Sequence, residues 1–356
     1  MSMRYQTSAV KRQNRDGWIM QDSERYHLEE RDKYKELFYS FVRAMSKAID
    51  ERTPYNGTHT RHMVWSGGRF LDFINRRAAA AGRNIPFGPG EREEILMSIW
   101  LHDVGKLVIP LSIMDKERRL RPEEETAICY RMEIIRLGSR VDYLEGRLSL
   151  REMKELIHTT RELEDLIYQI NRWGDVDDAS LKRLWDMQQL TYEDTDGNRL
   201  PWLTGEEYQA LSVVKGTLTP EERRIMEGHV AYTDQVLSEL QFPGSFSHVR
   251  QWAAAHHELL DGSGYPKGLK GDAIPYQVRI ITILDIFDAL VADDRPYKPG
   301  IPVDRALDIL KRMARKGKLD SRLTKLFVES RCWEGLGGLF DAEKSLREDE
   351  NGCDQA

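Results

Sequence analysis

The sequence predicts an all-α fold, and three observations carry that expectation. Apolar residues recur at helical spacing along most of the 356 residues. No stretch sustains the alternation and tight turns of paired strands. Three segments, Ser149–Glu152, Thr204–Glu207 and Thr219–Glu222, have the spacing of a capping box, in which a hydroxyl and a glutamate satisfy each other's backbone N–H groups. Pro220 adds a proline at a first helical position.

Residues 22–51 predict a long amphipathic helix with a charged first half and an apolar face of Leu37, Phe38, Phe41, Val42, Met45 and Ile49. It could relay a signal from a partner, pair in a dimer, or simply pack on the rest of the chain. Gly and Pro mark loops at 84–90, 196–201, 261–266 and 299–302. Residues 117–214 read as helices through Ile128, Met132, Ile135, Val141, Leu144 and Leu148, then Met153, Leu156, Ile157, Leu163, Ile167 and Ile170. Their approximate heptad spacing predicts an antiparallel hairpin or small bundle. Residues 219–240 read as one helix, and the segment VRQWAAAHHELL (249–260) as another. Residues 331–356 form a polar C-terminal tail, of which the acidic stretch 341–356 is expected to fray.

At 40% hydrophobic and 9% aromatic residues, the chain can build one large domain or two ordinary ones. A net charge of -6 lacks the signature of a nucleic-acid polymer binder, yet a local cationic or metal site could still take a small anion. Cys129, Cys332 and Cys353 make neither a C-x-x-C pair nor a disulfide framework, so a reduced, cytoplasmic chain is expected. The N-terminus lacks the apolar core of a secretory leader, and no apolar run is long enough to span a bilayer. A membrane or sensory domain would lie outside this chain.

Five of the nine histidines, His59, His102, His229, His256 and His257, stand in unusual company. Adjacent helical residues face different ways, so the pair His102-Asp103 suggests a helix end, supplied by Gly105. Alone, that dipeptide is as compatible with a capped terminus. His256-His257 is a second tandem pair and runs into the Gly-rich turn Asp261–Pro266. Imidazoles with carboxylates suit divalent Mn, Fe and Zn. Asp285 lies in RIITILDIFDALVA, a helix apolar on nearly every side, so its carboxylate must be paired or bound to metal. Metal is favoured over an ion pair with Arg279. Asp288, one turn on, could support a ligand or cap a loop. His229 alone would be an ordinary core histidine, and His59 alone is uninformative.

These residues, in this order, resemble the HD-GYP family, a branch of the HD phosphohydrolases. The resemblance is carried by RTPYNGTHTRH (52–62), HDVGKLVIPLSIMDK (102–116), LTPEERRIMEGHVAYTDQVL (218–237), the long segment 256–290 and RPYK (295–298). It implies an HD-domain helical bundle over 52–116 and 215–330, with an N-terminal region 1–51 and an inserted helical hairpin or small bundle at 117–214. It also implies the ligand set His59, His102, Asp103, His229, His256, His257 and Asp285, with Asp103 bridging two metals and Lys106 near the phosphate. Iron or manganese is the first expectation, with Zn, Ni and Mg as alternatives. The implied activity is hydrolysis of cyclic di-GMP to pGpG, or on to GMP, by a metal-bridging hydroxide. 3',3'-cGAMP or another nucleotide is the alternative substrate, and a non-catalytic receptor is a third reading. Arg295 and Lys298 match residues that face the dinucleotide. Gly264, Tyr265 and Pro266 form the loop linked to substrate shaping and signalling partners.

The chain departs from the family pattern in four places. Tyr55 stands where some members carry a glutamate for a third metal, which predicts two. His62 replaces the usual arginine of H-x-x-R. The loop before RPYK is one residue longer. The insert 117–214 could stabilise the fold, dimerise it or hold a regulatory ligand, with His158 expected at its surface.

Overall fold

The computed structural model describes residue 33 and residues 36–49, 51–52, 58–172, 174–194, 196–292 and 300–335. Among them the all-α expectation holds, with one small strand pair as the exception. Helix α1 (36–49) buries part of the apolar face expected of it, Val42 and Ile49 fully and Phe38 and Met45 partly, while Leu37 and Phe41 are exposed; the rest of the predicted span 22–51 lies largely outside the described residues. Its Val42 and Ile49 are buried against Met97, Leu101, Leu237 and Phe246.

Helices α2 (His59–Ala80) and α3 (Pro89–Leu101) pack against α12 (Tyr276–Val291), α13 (Val303–Arg315) and α14 (Ser321–Ser330) around the main apolar core. Helix α12 is buried along most of its length because Val278, Ile280, Ile281, Ile283, Leu284 and Phe287 leave it little polar surface. Burying each such side chain stabilises the fold by about 1.5–3 kcal/mol. Asp285 and Asp288 lie within this buried helix.

Residues 117–214 form helices α5 (Pro122–Leu144), α6 (Leu150–Ile170), α7 (Asp178–Gln188) and α8 (Gly205–Leu211), after the short α4 (Leu111–Met114). Helices α5 and α6 make the expected hairpin, and a separate apolar cluster drawn from residues 120–211 fills this region. Ile128, Met132, Ile135, Leu163, Ile167 and Ile170 are buried in it, but Val141 and Leu144, expected in the same seam, are exposed. The reason is angular: they lie on the opposite side of α5 from the buried residues.

The predicted absence of strands is corrected at β1 (Thr191–Glu193) and β2 (Arg199–Pro201), an antiparallel pair with Tyr192 opposite Leu200. Three-residue strands are too short to show alternation in a sequence. Their turn is set by Asp194, whose carboxylate accepts from the backbone N–H groups of Asp196 and Asn198, and by Gly197 at φ 80.

All three capping boxes form. Two of their glutamates do a second job. Glu207 receives Arg131, and Glu222 receives the buried ammonium of Lys116 at 2.7 and 2.8 Å. The single helix expected over 219–240 is two, α9 (Pro220–Glu227) and α10 (His229–Ser238), which meet at Gly228. They separate because α9 buries no residue, whereas α10 buries His229, Val230, Thr233 and Leu237. The helix expected over 249–260 is likewise shorter. Helix α11 (Val249–Ala253) stops before the two histidines, which lie in the turn that follows. No helix among the described residues is long and apolar enough to cross a membrane.

Candidate metal centre

Four helix ends converge on one buried pocket of histidines and aspartates. His59 opens α2, His102 closes α3, His229 opens α10, and His256-His257 follow α11. The sequence reading placed His102-Asp103 at a helix end on account of Gly105, and a 3-10 turn over Val104–Val108 does begin there. Gly105 has a further reason to be glycine. An added Cβ would lie 1.9 Å from the carbonyl oxygen of His229, so any side chain would push the turn off α10.

Three imidazoles are fixed in the same way. The Nδ1 of His102 bonds the carbonyl of Ile99, that of His229 the carbonyl of Met226, and that of His256 the carbonyl of Ala253, each at 2.7 Å. A carbonyl only accepts, so each Nδ1 carries a proton, and at His229 and His256 burial favours the neutral ring, whose Nε2 presents a lone pair. The fastening extends one layer further. Thr233 Oγ1 donates to the His102 carbonyl and accepts from the Gly105 N–H, both at 3.0 Å. Thr282 Oγ1 reaches the His256 carbonyl at 2.8 Å.

Asp103 sits between two groups of these side chains. Its Oδ2 lies 3.2 Å from His102 Nε2, 3.9 Å from His59 Nε2 and 2.6 Å from Lys106 Nζ. Its Oδ1 lies 3.4 Å from His229 Nε2 and 3.9 Å from His256 Nε2. Oδ1 and both of those Nε2 atoms are buried without a hydrogen-bond partner. Lone pairs on imidazole and carboxylate thus face one another in a buried site, an arrangement that is costly unless a cation lies among them. Two further trios complete the picture. His59, His102 and Asp285 bring ligand atoms within 4.8 Å of one another, and so do His229, His256 and His257. Asp285 touches both, with Oδ1 3.4 Å from His59 Nε2 and Oδ2 3.5 Å from His257 Nδ1. The donor set of imidazole and carboxylate fits divalent transition metals.

The ionisation states agree with ligand roles. Burial, reinforced by Lys106 and His257, lowers His229 to about 4, so it is neutral and free to ligate. Burial likewise lowers His256 and His257. Burial alone would raise Asp103, but His102 and Lys106 beside it hold the carboxyl well below its usual range. His59 is the exception. Burial pushes it down, yet Asp285 and Asp288 raise it to about 10. A cation at His59 Nε2 therefore replaces a proton. Loading of this trio is expected to release protons and to tighten as pH rises between about pH 6 and pH 8. Metal titrations in buffers of different ionisation enthalpy check this; affinity independent of pH would contradict it.

Asp288 supports the centre from behind, the first of the two roles open to it in the sequence. Its Oδ2 bonds His59 Nδ1 at 2.6 Å, and its Oδ1 lies 3.6 Å from Nδ1 of His62. His62, where the family pattern has arginine, is buried and turned toward this carboxylate. The alternative of an Asp285–Arg279 ion pair is not realised. Arg279 pairs with Asp320 and Asp272 instead. Replacing the carboxylate behind a ligating histidine typically weakens metal affinity or activity 10–100-fold, and Asp288→Asn is expected to fall in about that range. Competition with a metal indicator measures it, and unchanged affinity would count against the arrangement.

The loop Gly264-Tyr265-Pro266 closes over the histidines. The Tyr265 ring lies 4.7 Å from that of His257, centroid to centroid, and 6.4 Å from that of His229. Burial, with Asp285 and Glu227 nearby, pushes its phenol up, so it remains a neutral donor. Gly264 meets a limit of space. An added Cβ would sit 2.3 Å from the Leu259 nitrogen and 2.5 Å from the His257 oxygen. The left-handed backbone positions around this loop are Gly262, at φ 82, and Gly268, at φ 62.

Sequence reasoning missed several supports. Buried Glu258 accepts the backbone N–H groups of Lys267 and Leu269 at 2.7 and 2.8 Å, which pins the far side of that loop. Arg52 reaches the carbonyls of Lys106 and Ile109 and holds the end of the 3-10 turn. Thr233 and Thr282 carried a weak signal, as lone hydroxyls on apolar helix faces. Tyr55, Arg295 and Lys298 lie outside the described residues.

A mainly helical fold thus gathers a His-Asp pair and five further ligand-type residues at one place. Residues 206–323 match the HD domain family. Over 95 residues the chain is 48% identical to 3'3'-cGAMP-specific phosphodiesterase 3 of Vibrio cholerae serotype O1, which covers 27% of this chain and 20% of that protein. Over 128 residues it is 41% identical to a cyclic di-GMP phosphodiesterase response regulator of Xanthomonas campestris pv. campestris, covering 35% of this chain and 32% of that one. It is also similar to a crystal structure of a V. cholerae cyclic GMP-AMP specific phosphodiesterase, with a TM-score of 0.37 and 14% identity over 81% of this chain and 47% of the other. The chain thus spans a third or less of the length of these curated relatives. The HD domain match covers about a third of the chain, and the cyclic-dinucleotide phosphodiesterases named above are what it is similar to.

Proposed function

We propose that this chain is a metal-dependent phosphodiesterase that opens a cyclic dinucleotide, with cyclic di-GMP as substrate and linear pGpG as the first product. One observation carries the reading. Asp103 Oδ1, His229 Nε2 and His256 Nε2 are buried acceptors turned toward one another with no donor between them. Such a site suits a cation, and a buried cation beside a partly open lysine suits a phosphate.

His59, His102 and Asp285 would hold one divalent ion and His229, His256 and His257 a second, with Asp103 offering one oxygen to each side. When bound, such ions supply Lewis acidity and lower the pKa of a coordinated water. The chain's own residues do the rest. The Nδ1–carbonyl bonds hold three imidazoles rigid, so little reorganisation is needed at the moment of reaction. Lys106, anchored to Asp103 and partly exposed, can place its remaining N–H bonds on a phosphate oxygen. Tyr265 covers the pocket and limits water around it. Hydrolysis adds water across one P–O3' bond, which leaves a 5'-phosphate and a free 3'-hydroxyl.

Iron or manganese is the proposed metal, in two ions per chain, and further cleavage of pGpG to GMP is open to the same groups. Arg295 and Lys298 are the proposed contacts for the second phosphate. The catalytic unit is assigned to residues 52–116 and 215–330, with 117–214 as an insert, and the Gly264–Pro266 loop as a contact for signalling partners in the cytoplasm.

A second reading, hydrolysis of 3',3'-cGAMP, is favoured by the identity to a V. cholerae phosphodiesterase specific for it. The test is parallel incubation of the manganese- or iron-loaded protein with cyclic di-GMP and 3',3'-cGAMP, with products separated by mass. Faster cleavage of cyclic di-GMP supports the first reading, and faster cleavage of cGAMP the second. Binding of either without any cleavage would replace both with a receptor role.

A further inference from the structure

Helix α5 is apolar on two opposite sides. One side, Ile128, Met132 and Ile135, is buried in the hairpin with α6. The other side is Tyr130, Ile134, Leu137, Val141 and Leu144, all between 48% and 80% exposed. Their spacing is four, three, four, three, the a/d pattern of a coiled-coil seam. At roughly 100° per residue the two stripes are centred on opposite faces of the helix. Ala127, one step earlier in the same register, is also exposed, which makes the seam six positions long.

From this geometry we infer that α5 pairs with α5 of a second copy of the chain, antiparallel, about a two-fold axis near residues 134–137. The occupant is argued from self-complementarity. In that register Ile134 meets Leu137 of the other copy, Tyr130 meets Val141, and Ala127 meets Leu144, so large residues face small ones at the ends and aliphatics meet at the centre. Charge agrees. Glu133 and Arg140 flank the stripe on one side, two turns apart, and the antiparallel pairing sets each against the other's counterpart. In the single chain the Glu133 side chain is 54% exposed and pairs with the neighbouring Arg136, which leaves room for a second cation. The surface lies on α5, which carries none of the candidate ligand residues, so the inference stands independently of the proposed activity.

The experiment is sedimentation velocity on the full chain over a range of micromolar concentrations. The expected species is a dimer of the 41.4 kDa chain. The double variant Leu137→Glu/Val141→Glu is expected to raise the dimer dissociation constant ~100-fold or more, since it would bury unpaired charge, and to leave circular dichroism and metal content unchanged. Arg140→Glu is expected to weaken the dimer several-fold, and Glu133→Arg/Arg140→Glu to restore it. A monomeric wild type, a dimer insensitive to Leu137→Glu/Val141→Glu, or a charge swap that fails to restore association would each overturn the inference. The charge variants alter only exposed side chains, so the test survives even if the double glutamate variant misfolds.

Discussion

Asp103→Asn is expected to abolish metal binding at the centre and to lower kcat/KM by on the order of 10³-fold or more, with the fold intact. The substitution keeps the size of the side chain and removes its charge. Asp103, like Asp285, is addressed by both histidine groups. Oδ2 faces His102, His59 and Lys106, while Oδ1 faces His229 and His256. An amide offers one acceptor oxygen in place of two. Its NH₂ would point either at Lys106, a like partner, or at the lone pairs of His229 and His256, where it would donate and block them. Metal content by mass spectrometry and steady-state hydrolysis are the measurements. A variant that retained metal and activity within tenfold of wild type would show that Asp103 does not join the two groups.

Arg119→Met is expected to destabilise the protein by about 3–5 kcal/mol, the largest effect outside the metal centre. Arg119 is only 1% exposed. Its guanidinium donates to the carbonyls of Ile170, Arg172 and Gly174 at and after the end of α6, and to that of Val213 just after α8. One side chain therefore joins the outgoing segment, the α6–α7 link and the returning segment. Methionine would fill the volume and leave these carbonyls without their donor. Arg119→Lys is expected to recover only part of the loss, because an ammonium cannot span carbonyls arranged around a planar fork. Urea denaturation followed by tryptophan fluorescence measures both. A change below about 1 kcal/mol would mean that water replaces the guanidinium at little cost.

Much of this organisation was legible in the sequence because it rests on local chemistry. The capping boxes at Ser149, Thr204 and Thr219 form as read, since each needs only residues three apart. Asp285 could be singled out because a carboxylate in an apolar helix must have a partner, and it lies between His59 and His257. What escaped was long-range or angular. The Thr233 bond to the His102 carbonyl spans 131 residues and leaves no local pattern. Glu258 looked like one more polar residue after the tandem histidines, and only the fold shows it capping the backbone of its own loop. The break at Gly228 was hidden because α9 and α10 share one helical period and differ only in what they bury. Val141 and Leu144 were assigned to the buried seam because heptad spacing alone does not say which of two stripes meets α6.

The central claim is that these histidines and aspartates are a metal centre, and its most direct test is metal content. Protein purified anaerobically under reducing conditions, without added chelator, is expected to carry two transition-metal ions per chain. His229→Ala is expected to remove one of them. Wild-type protein that is folded, has been offered iron and manganese, and still carries no metal would contradict the claim.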